Sequence, residues 1–177
     1  IASKSHGLFV NWGVKKRTTN YLDFVVDKLT NSIENVRSGD SFKTEVSLAT
    51  SVELKNVLKK NGWAFDWKAE LKAPEIEVYK LTIAGSSNIQ GLMSLTFRDD
   101  HVYMHLIESA PFNKGRAKTY LGVPGNLVAF ACRVSFQRGG GGYVSFNSKT
   151  QLINHYVESL GAKHFGGTLM VITPDVA

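Results

Sequence analysis

The chain has 177 residues, of which 43% are hydrophobic, and its ten Phe, six Tyr and three Trp supply enough apolar surface for the core of one domain. This composition excludes a disordered chain, and the sequence contains neither an internal repeat nor a low-complexity linker. The formal charge of +6 suits an anionic partner, but Lys and Arg are scattered, as on a solvated surface. We therefore predict no nucleic-acid partner.

The cysteine content and the apolar runs indicate the compartment. A single cysteine, Cys132, excludes an internal disulfide and favours a reducing compartment. It lies in an apolar stretch and is interpreted as a small buried hydrophobe, not as a nucleophile. No apolar run has the length of a membrane span, and the first residues lack a signal-peptide pattern. The sequence therefore predicts a cytoplasmic protein without a membrane partner.

The beginning of the chain gives mixed signals. Residues 1–19 are interpreted as a leader or an edge strand, and residues 21–30 favour a strand only slightly, because of their β-branched content. Ser38-Gly39-Asp40 indicates a turn, with residues 42–49 as an extended segment after it.

A helix is predicted next. Thr50 or Ser51 is expected to cap it, residues 54–58 to form its body, and Asn61-Gly62 to end it. An amphipathic segment follows at residues 68–72. Between the two lie aromatic side chains that are interpreted as core residues or, alternatively, as the wall of a pocket: Trp63, Phe65 and Trp67.

A regular strand pattern follows. Residues 75–83 alternate polar and apolar side chains, as a half-buried strand does. Two more strands are predicted over residues 89–97 and 101–109, with turns at 85–88 and 99–100. These three segments indicate an antiparallel meander.

The stretch after the third strand is the most informative one. Pro111 stops the strand, a basic loop occupies residues 112–119, and a glycine turn over 120–126 leads into a buried helix over 127–136. A glycine turn that opens a helix after a strand places backbone N–H groups and the positive end of the helix dipole where they can bind phosphate.

After the helix over 127–136, the sequence predicts a glycine-rich helix end, a strand, a second helix and a closing strand. The glycine run 139–142 follows a helix instead of opening one, so we interpret it as a helix exit with positive φ and not as a nucleotide loop. A strand over 143–146, a helix over 149–160 and a closing strand near 168–172 complete the chain. The order of elements predicts an α+β fold with a mixed sheet.

Two motifs in this region resemble a known family. The segment Asn154-His-Tyr-Val-Glu-Ser-Leu-Gly-Ala162 resembles the F-Y-x-x-L-G-F signature of the GNAT N-acetyltransferase superfamily. The turn Thr119-Tyr-Leu-Gly-Val-Pro124 resembles its Q/R-x-x-G-x-G/A loop. Two motifs in the right order are more specific than either one. The resemblance extends over about residues 75–172.

The resemblance implies a fold and an activity. The expected fold is a mixed, mostly antiparallel sheet with helices packed on both faces, in a single domain over residues 1–177 with an N-terminal extension at 1–43 and a core at 44–172. The implied activity is an N-acetyltransferase that moves the acetyl group of acetyl-CoA to an amine of a small molecule or a protein. A homodimer is possible in this family. No metal is expected, because the histidines lack metal-ligand spacing to Cys or carboxylates.

The resemblance also assigns catalytic roles. Tyr156 matches the family tyrosine that lies near the coenzyme sulfur and acts as general acid. Glu108, at the end of the central strand, is the leading candidate for the general base, and His105 is its rival. In an unbroken strand these two side chains face opposite sides, so both point into one site only if a bulge intervenes.

Acetyl-CoA is expected to contact the central strand, the basic loop, the glycine turn and the last helix. The predicted contacts are Leu106, Ile107, Glu108, Lys114, Arg116, Lys118, Tyr120, Leu121, Gly122, Val123, Gly125, Asn126, Asn147, Lys149 and Tyr156. The sequence departs from the family pattern at Thr119, at Pro124, which has no N–H to donate, and at Lys149, where Asn147 or Ser148 is the expected substitute for a frequent asparagine.

These departures leave other functions open. A catalytically silent GNAT-like module that binds acyl-CoA or a protein is the main alternative, and the altered loop positions favour it. A nucleic-acid-binding protein is supported by the net charge alone.

Overall fold

The computed structural model describes residues 31–174. These residues form a nine-stranded sheet in the order β6-β1-β2-β3-β4-β5-β7-β9-β8, and β5 and β7 are the parallel pair among otherwise antiparallel neighbours. The strands are β1 (Ser32–Asn35), β2 (Ser41–Leu48), β3 (Glu77–Ile83), β4 (Ile89–Phe97), β5 (Val102–Ser109), β6 (Tyr120–Leu121), β7 (Val144–Asn147), β8 (Lys163–His164) and β9 (Leu169–Ile172). The helices are α1 (Trp67–Lys72), α2 (Val123–Gln137) and α3 (Ile153–Leu160).

The sheet separates two apolar clusters. The larger one joins β3, β4 and β5 to α2 and to the end of α3, and the smaller one joins the other side of β4 to the segment around α1. The predicted α+β class, with a mostly antiparallel sheet and helices on both faces, is confirmed. The predicted meander is also confirmed as β3, β4 and β5, whereas the predictions for residues 1–30 lie outside the described residues.

The helix predicted over residues 54–58 is wrong. Thr50 and Glu53 do form a reciprocal cap, in which the Thr50 N–H and hydroxyl each donate to the Glu53 carboxylate at 2.9 Å. However, two separate 3-10 turns, Glu53–Asn56 and Lys59–Asn61, stand in place of the predicted helix. Leu54 and Val57 are both buried in the smaller cluster, and a 3-10 turn aligns side chains that are three residues apart, so packing favours this tighter turn.

Helix α2 begins four residues earlier than predicted. Its N-cap is Gly122, which has a left-handed backbone with φ of 87°, and Pro124 stands in the first turn, where its fixed φ suits a helix start. The last predicted helix is split into a 3-10 turn, Thr150–Leu152, followed by α3. The glycine run after α2 has positive φ at Gly139, Gly141 and Gly142, as the helix-exit interpretation predicts.

Helix α2 starts directly against β4, at Gly91. A Cβ atom at Gly91 would lie 2.6 Å from Val123 Cγ1 and 3.2 Å from Leu127 Cδ1. We expect Gly91→Ala to lower the free energy of unfolding by about 1–3 kcal/mol, because the first turn of α2 must move outward. Urea titration measures the loss, and the double variant with Val123→Ala should recover part of it. Full wild-type stability in Gly91→Ala would contradict this close packing.

Strands β5 and β7 separate after a short contact. They pair at Val102 with Val144 and at Tyr103 with Ser145, and then β5 continues to Ser109 without β7 beside it.

Within the described residues no helix is long and apolar enough to cross a bilayer, and no group of three His, Cys, Asp or Glu side chains is arranged to hold a metal ion.

Candidate functional site

A cleft of about 610 Å³ lies at the end of β5, along Ile107 to Ser109. The end of β5 forms one wall, α3 forms the opposite wall, and the start of α2 lies at one end. The segment before α1 and two lysines of the basic loop complete it. Its lining residues are Ala64, Phe65, Ile107, Glu108, Ser109, Lys114, Lys118, Leu121, Gly122, Pro124, Gly125, His155, Tyr156, Glu158, Ser159 and Leu160.

The β5 edge in this cleft offers main-chain groups to a ligand. Past Tyr103, this edge has no strand partner among residues 31–174. Backbone N–H and C=O groups need partners, so an extended ligand with amide groups can pair along Ile107 to Ser109 as a further strand would. The N–H of Leu106 is already used, because it donates to Ser94 Oγ at 3.2 Å.

The start of α2 supplies a second set of donors. The first N–H groups of a helix have no intrahelical acceptor, and here they belong to Val123 and Gly125, because Pro124 has none. Asn126 is already committed, since its N–H donates to the Gly122 carbonyl at 3.0 Å and its side-chain amide donates to the Ser32 carbonyl at 2.8 Å.

The predicted N–H donors that precede α2 also include both a donor with an acceptor in the protein and residues that line the cleft. The N–H of Tyr120 donates to Asn113 Oδ1 at 3.2 Å, whereas Leu121 and Gly122 line the cleft. The groups that line this end of the cleft are therefore Leu121, Gly122 and Gly125, whereas Val123 is buried and does not line it.

The basic loop contributes two cations. Lys114 and Lys118 line the cleft, whereas Arg116 is exposed on the same loop and is not part of the lining. Lys114 forms an ion pair with Glu108 and also donates to the Gly62 carbonyl at 3.4 Å. Lys118 is therefore the lining lysine that is placed to meet an anionic ligand without giving up an ion pair within residues 31–174.

Glu108 is the most heavily hydrogen-bonded side chain of the cleft. Its side chain is 3% exposed and accepts from four donors. These are the N–H of Ala64 at 2.6 Å, the N–H of Phe65 at 3.4 Å, the indole N–H of Trp67 at 2.7 Å and the Lys114 ammonium. The carboxylate therefore fastens the segment before α1 to the end of β5.

His105 occupies a β-bulge. Ser94 pairs with Leu106 and Leu95 pairs with Met104, which leaves His105 as the extra residue of β5. The bulge puts His105 and Glu108 on the same face of the sheet, the face that α1 covers, because His105 contacts Thr96 and Glu108 contacts Trp67 there. His105 does not belong to the lining of the cleft.

Tyr156 projects from α3 into the cleft. Its ring packs edge-on against Phe146 at 5.2 Å between centroids, which fixes its direction. Its hydroxyl has no hydrogen-bond partner among residues 31–174, and burial raises the pKa of the phenol. The hydroxyl therefore stays protonated in the physiological range, and Tyr156 belongs to the lining of the cleft.

Other predicted contacts lie elsewhere. The Asn147 amide donates to the Tyr103 hydroxyl at 2.9 Å and accepts from Thr168, and Lys149 is exposed before a 3-10 turn. Neither residue lines the cleft, and neither do Leu106 and Val123.

The sequence interpretation did not assign several lining residues. Ala64, His155, Glu158 and Ser159 carried no signal of their own, although the last three belong to the motif around Tyr156. Of the aromatic trio, Phe65 lines the cleft, while Trp63 and Trp67 are buried in the smaller cluster.

The chain is similar to known proteins in its three-dimensional structure. No protein-family model and no curated protein sequence matches the chain. The ribosomal-protein-S18-alanine N-acetyltransferase from Escherichia coli matches with a TM-score of 0.51 at 15% identity, over 73% of this chain and 90% of that one. FeeM, an N-acyl amino acid synthase from uncultured soil microbes, matches with a TM-score of 0.50 at 9% identity, over 75% and 90%. A Bacillus subtilis acetyltransferase in complex with CoA matches at 14% identity over 73% and 95%, with a TM-score of 0.49.

These similarities concern the fold. The chain has the fold of the GNAT N-acetyltransferases, as the two motifs predicted. The parallel strands β5 and β7 separate after Tyr103, and residues of both motif segments line the cleft beside the end of β5.

Proposed function

We propose that this protein is an N-acetyltransferase that transfers the acetyl group of acetyl-CoA directly to an amine. The observation that carries the proposal is the cleft between β5 and α3. Three groups of this cleft match three parts of acetyl-CoA. The free edge of β5 suits the amide groups of the pantetheine arm, the start of α2 and Lys118 suit the diphosphate, and Tyr156 suits the sulfur end.

The residues present fit this co-substrate with one contact fewer than the family pattern provides. Pro124 cannot donate a hydrogen bond, but Gly125, which lines the cleft, can, and Gly122 allows a close approach because it has no side chain. The dipole of a 15-residue helix adds positive potential at the same place.

Tyr156 serves as general acid in this proposal. Attack of an amine on a thioester forms an N–C bond and breaks the C–S bond, and the departing sulfur needs a proton. A phenol whose pKa is raised by burial holds its proton until the sulfur takes it. The acceptor is an amine of a small molecule or a protein, and the homodimer and the cytoplasmic location stay predictions from the sequence.

A silent module that binds acyl-CoA is a second candidate. Two observations favour it: Pro124 removes one phosphate donor, and Glu108 is saturated by internal donors instead of facing an acceptor amine. Heat stabilisation by acetyl-CoA without turnover on any amine would support this candidate.

The first test compares the melting temperature with and without acetyl-CoA, with adenosine and NAD as controls. A ligand that binds only the folded state stabilises it by roughly 2.7 kcal/mol at a hundredfold excess over its dissociation constant. A rise with acetyl-CoA alone is expected, followed by amine-dependent release of CoA thiol. The absence of a shift at millimolar acetyl-CoA would contradict the proposal.

A pair of variants at Pro124 tests the position of the diphosphate. Pro124 is exposed and lines the cleft in the first turn of α2. We expect Pro124→Glu to abolish the rise in melting temperature with acetyl-CoA through charge repulsion, while the free protein keeps its stability because an acidic residue suits a helix N-terminus. Pro124→Ala restores an N–H group and should bind acetyl-CoA at least as tightly as the wild type. An undiminished shift in Pro124→Glu would place the diphosphate elsewhere.

A further inference from the structure

Positive charge is unevenly distributed over the described residues. Residues 53–72 and 112–119 together contain eight Lys and Arg and three Asp and Glu, whereas the rest of residues 31–174 contains eight Lys and Arg and nine Asp and Glu. The two segments lie side by side, because the Lys114 ammonium donates to the Gly62 carbonyl at 3.4 Å. Basic residues that are scattered in the sequence are therefore gathered beside the cleft by the fold.

The first of these segments exposes its lysines to solvent. Its apolar side chains are buried in the smaller cluster against the sheet: Leu54, Val57, Trp63 and Trp67. The lysines between and after them lie on the outer side, where four are exposed and one is half-buried. We call this group the lysine surface, and its members are Lys55, Lys59, Lys60, Lys68 and Lys72. Within residues 31–174 none of their ammonium groups has an ion-pair or hydrogen-bond partner.

The acidic side chains of the same segment have other partners. Glu53 forms an ion pair with Lys80 at 2.9 Å. The Asp66 carboxylate caps the first turn of α1, and Glu70 accepts from the Ser94 hydroxyl at 2.7 Å. These carboxylates therefore do not neutralise the lysine surface by direct contact, and its charge is available to an external partner.

The lysine surface borders the wall of the cleft. Ala64 and Phe65 line the cleft and stand in the chain between Lys60 and Lys68. Glu108 accepts from the N–H groups of both lining residues, so the neighbouring lysines are carried by a fixed backbone. None of the five lysines lines the cleft, and so they are not placed to bind a donor inside it. They are placed to meet a molecule that extends out of the cleft past Phe65.

The side chains on this surface favour an acidic polypeptide. Lysine attracts carboxylates as a point charge, whereas surfaces that bind nucleic acids combine arginine with exposed aromatic rings that stack on bases. The lysine surface contains no arginine, and Trp63 and Trp67 are buried beneath it. Val52, which is 79% exposed, lies beside it, because its carbonyl accepts from the Lys55 N–H at 3.2 Å. A partner with both carboxylates and apolar side chains complements this combination.

The charges of the chain itself do not complement the lysine surface. Outside the two basic segments, residues 31–174 carry nearly balanced charges, and residues 1–30 contain five Lys and Arg and two Asp. Neither a second copy nor the N-terminal residues would bring an excess of carboxylates to this surface. The complementary partner is therefore a different, acidic polypeptide.

We propose that the lysine surface binds an acidic segment of a protein whose own amine enters the cleft as the acetyl acceptor. This inference rests on the proposed acetyl transfer and narrows its acceptor to an amine of an acidic protein. Carboxylates of the partner pair with the lysines outside the cleft and hold the amine at Phe65. In the reaction the neutral amine forms the N–C bond, the C–S bond breaks, and CoA leaves as its thiol with the proton that the amine gives up.

Fluorescence anisotropy of a labelled peptide measures binding to the full chain. The probe is a short peptide with a free N-terminus, several glutamates and two leucines, labelled at its C-terminus, and the reference peptide has glutamine in place of every glutamate. The acidic peptide is expected to bind more tightly than the reference, and added salt should weaken its binding because ions screen the attraction. Equal binding of the two peptides would overturn the proposal.

Matched charge reversals locate the binding site. Lys59→Glu/Lys60→Glu changes the lysine surface, and Arg37→Glu/Lys43→Glu makes the same change in net charge at exposed positions of the β1–β2 hairpin. The first variant should bind the acidic peptide about tenfold more weakly, because repulsion replaces attraction, while the second stays within about twofold of the wild type. Both should keep the rise in melting temperature with acetyl-CoA, since neither alters the lining of the cleft. Equal losses in the two variants would contradict a specific surface.

A single-stranded oligouridylate tests the other class of polyanion. It is expected to bind more weakly than the acidic peptide at the same salt concentration, because the surface offers no exposed aromatic ring for stacking. Tighter binding of the RNA, weakened by Lys59→Glu/Lys60→Glu, would identify a nucleic-acid surface, and the proposed protein partner would be wrong.

Turnover separates this inference from the transfer reaction. Release of CoA thiol is followed with the acidic peptide, the glutamine peptide and an alkylamine. Lys59→Glu/Lys60→Glu should raise KM for the acidic peptide about tenfold and leave its kcat and the turnover of the alkylamine unchanged. If the wild type acetylates the alkylamine without preferring the acidic peptide, this proposal falls while the transfer reaction stands. If the acidic peptide binds but no amine is acetylated, the transfer reaction is contradicted, and the role of the partner as acceptor falls with it.

Discussion

Replacing Tyr156 by phenylalanine is expected to lower kcat by about 10²- to 10⁴-fold. The variant keeps the ring that packs on Phe146 and removes only the hydroxyl, which bonds to no residue within 31–174. Folding and donor binding should therefore be unaffected, while the sulfur loses its proton donor. Steady-state release of CoA thiol measures the rate, and the rise in melting temperature with acetyl-CoA measures donor binding.

A matched variant controls for the loss of a phenol elsewhere. Tyr143 is 44% exposed, next to β7 and outside the lining of the cleft, so Tyr143→Phe should keep the wild-type kcat. Full activity in Tyr156→Phe would remove the general-acid role. A large fall in both variants would point to a general effect on the fold.

Replacing Glu108 by glutamine is expected to lower the free energy of unfolding by about 2–5 kcal/mol. The amide nitrogen of glutamine would face N–H donors where a carboxylate oxygen now accepts, and Lys114 would lose its counter-charge. The segment from Gly62 to Trp67 would be released from the end of β5, and Phe65 would leave the cleft wall. Urea titration measures the loss, and the fluorescence of Trp67 should report its released indole N–H.

The comparison for this variant is Glu45, an exposed residue in the middle of β2. Glu45→Gln also removes one negative charge, but it should change the free energy of unfolding by less than about 0.5 kcal/mol. Equal stability of the two variants would show that the carboxylate of Glu108 contributes little to the fold and would return it to consideration as a base.

Tyr156 and Glu108 differ in how far the sequence predicts their surroundings in the fold. Tyr156 was assigned from the motif in its segment, and the structure places it in the lining of the cleft. The role of Glu108 was not predictable in the same way, because its partners lie 41 to 44 residues earlier in the chain at Trp67 and Ala64. A strand pattern locates a carboxylate at the end of a strand, but it contains no information on which donors reach it.

The same division holds for the local structure. The β3–β5 meander follows from alternating side chains. The start of α2 also has a local cause, because Gly122 allows the left-handed N-cap and Pro124 fixes φ in the first turn, although the predicted helix began only at residue 127. The failed helix at residues 54–58 and the bulge at His105 depend on packing and strand register instead. Local capping signals were satisfied at Thr50, yet burial of Leu54 and Val57 selected a 3-10 turn.

The sequence by itself determined the α+β class, the order of strands and helices from β3 onward apart from the two-residue strands β6 and β8, and the two motif segments. Periodicity and turn residues act over a few neighbouring positions, so they specify these features. Only the tertiary structure decided that β5 and β7 separate after Tyr103, that Lys114 pairs with Glu108, and that Thr96 fixes the ring of His105. These features join residues far apart in the chain, and their geometry depends on sheet register and helix packing that no local pattern specifies.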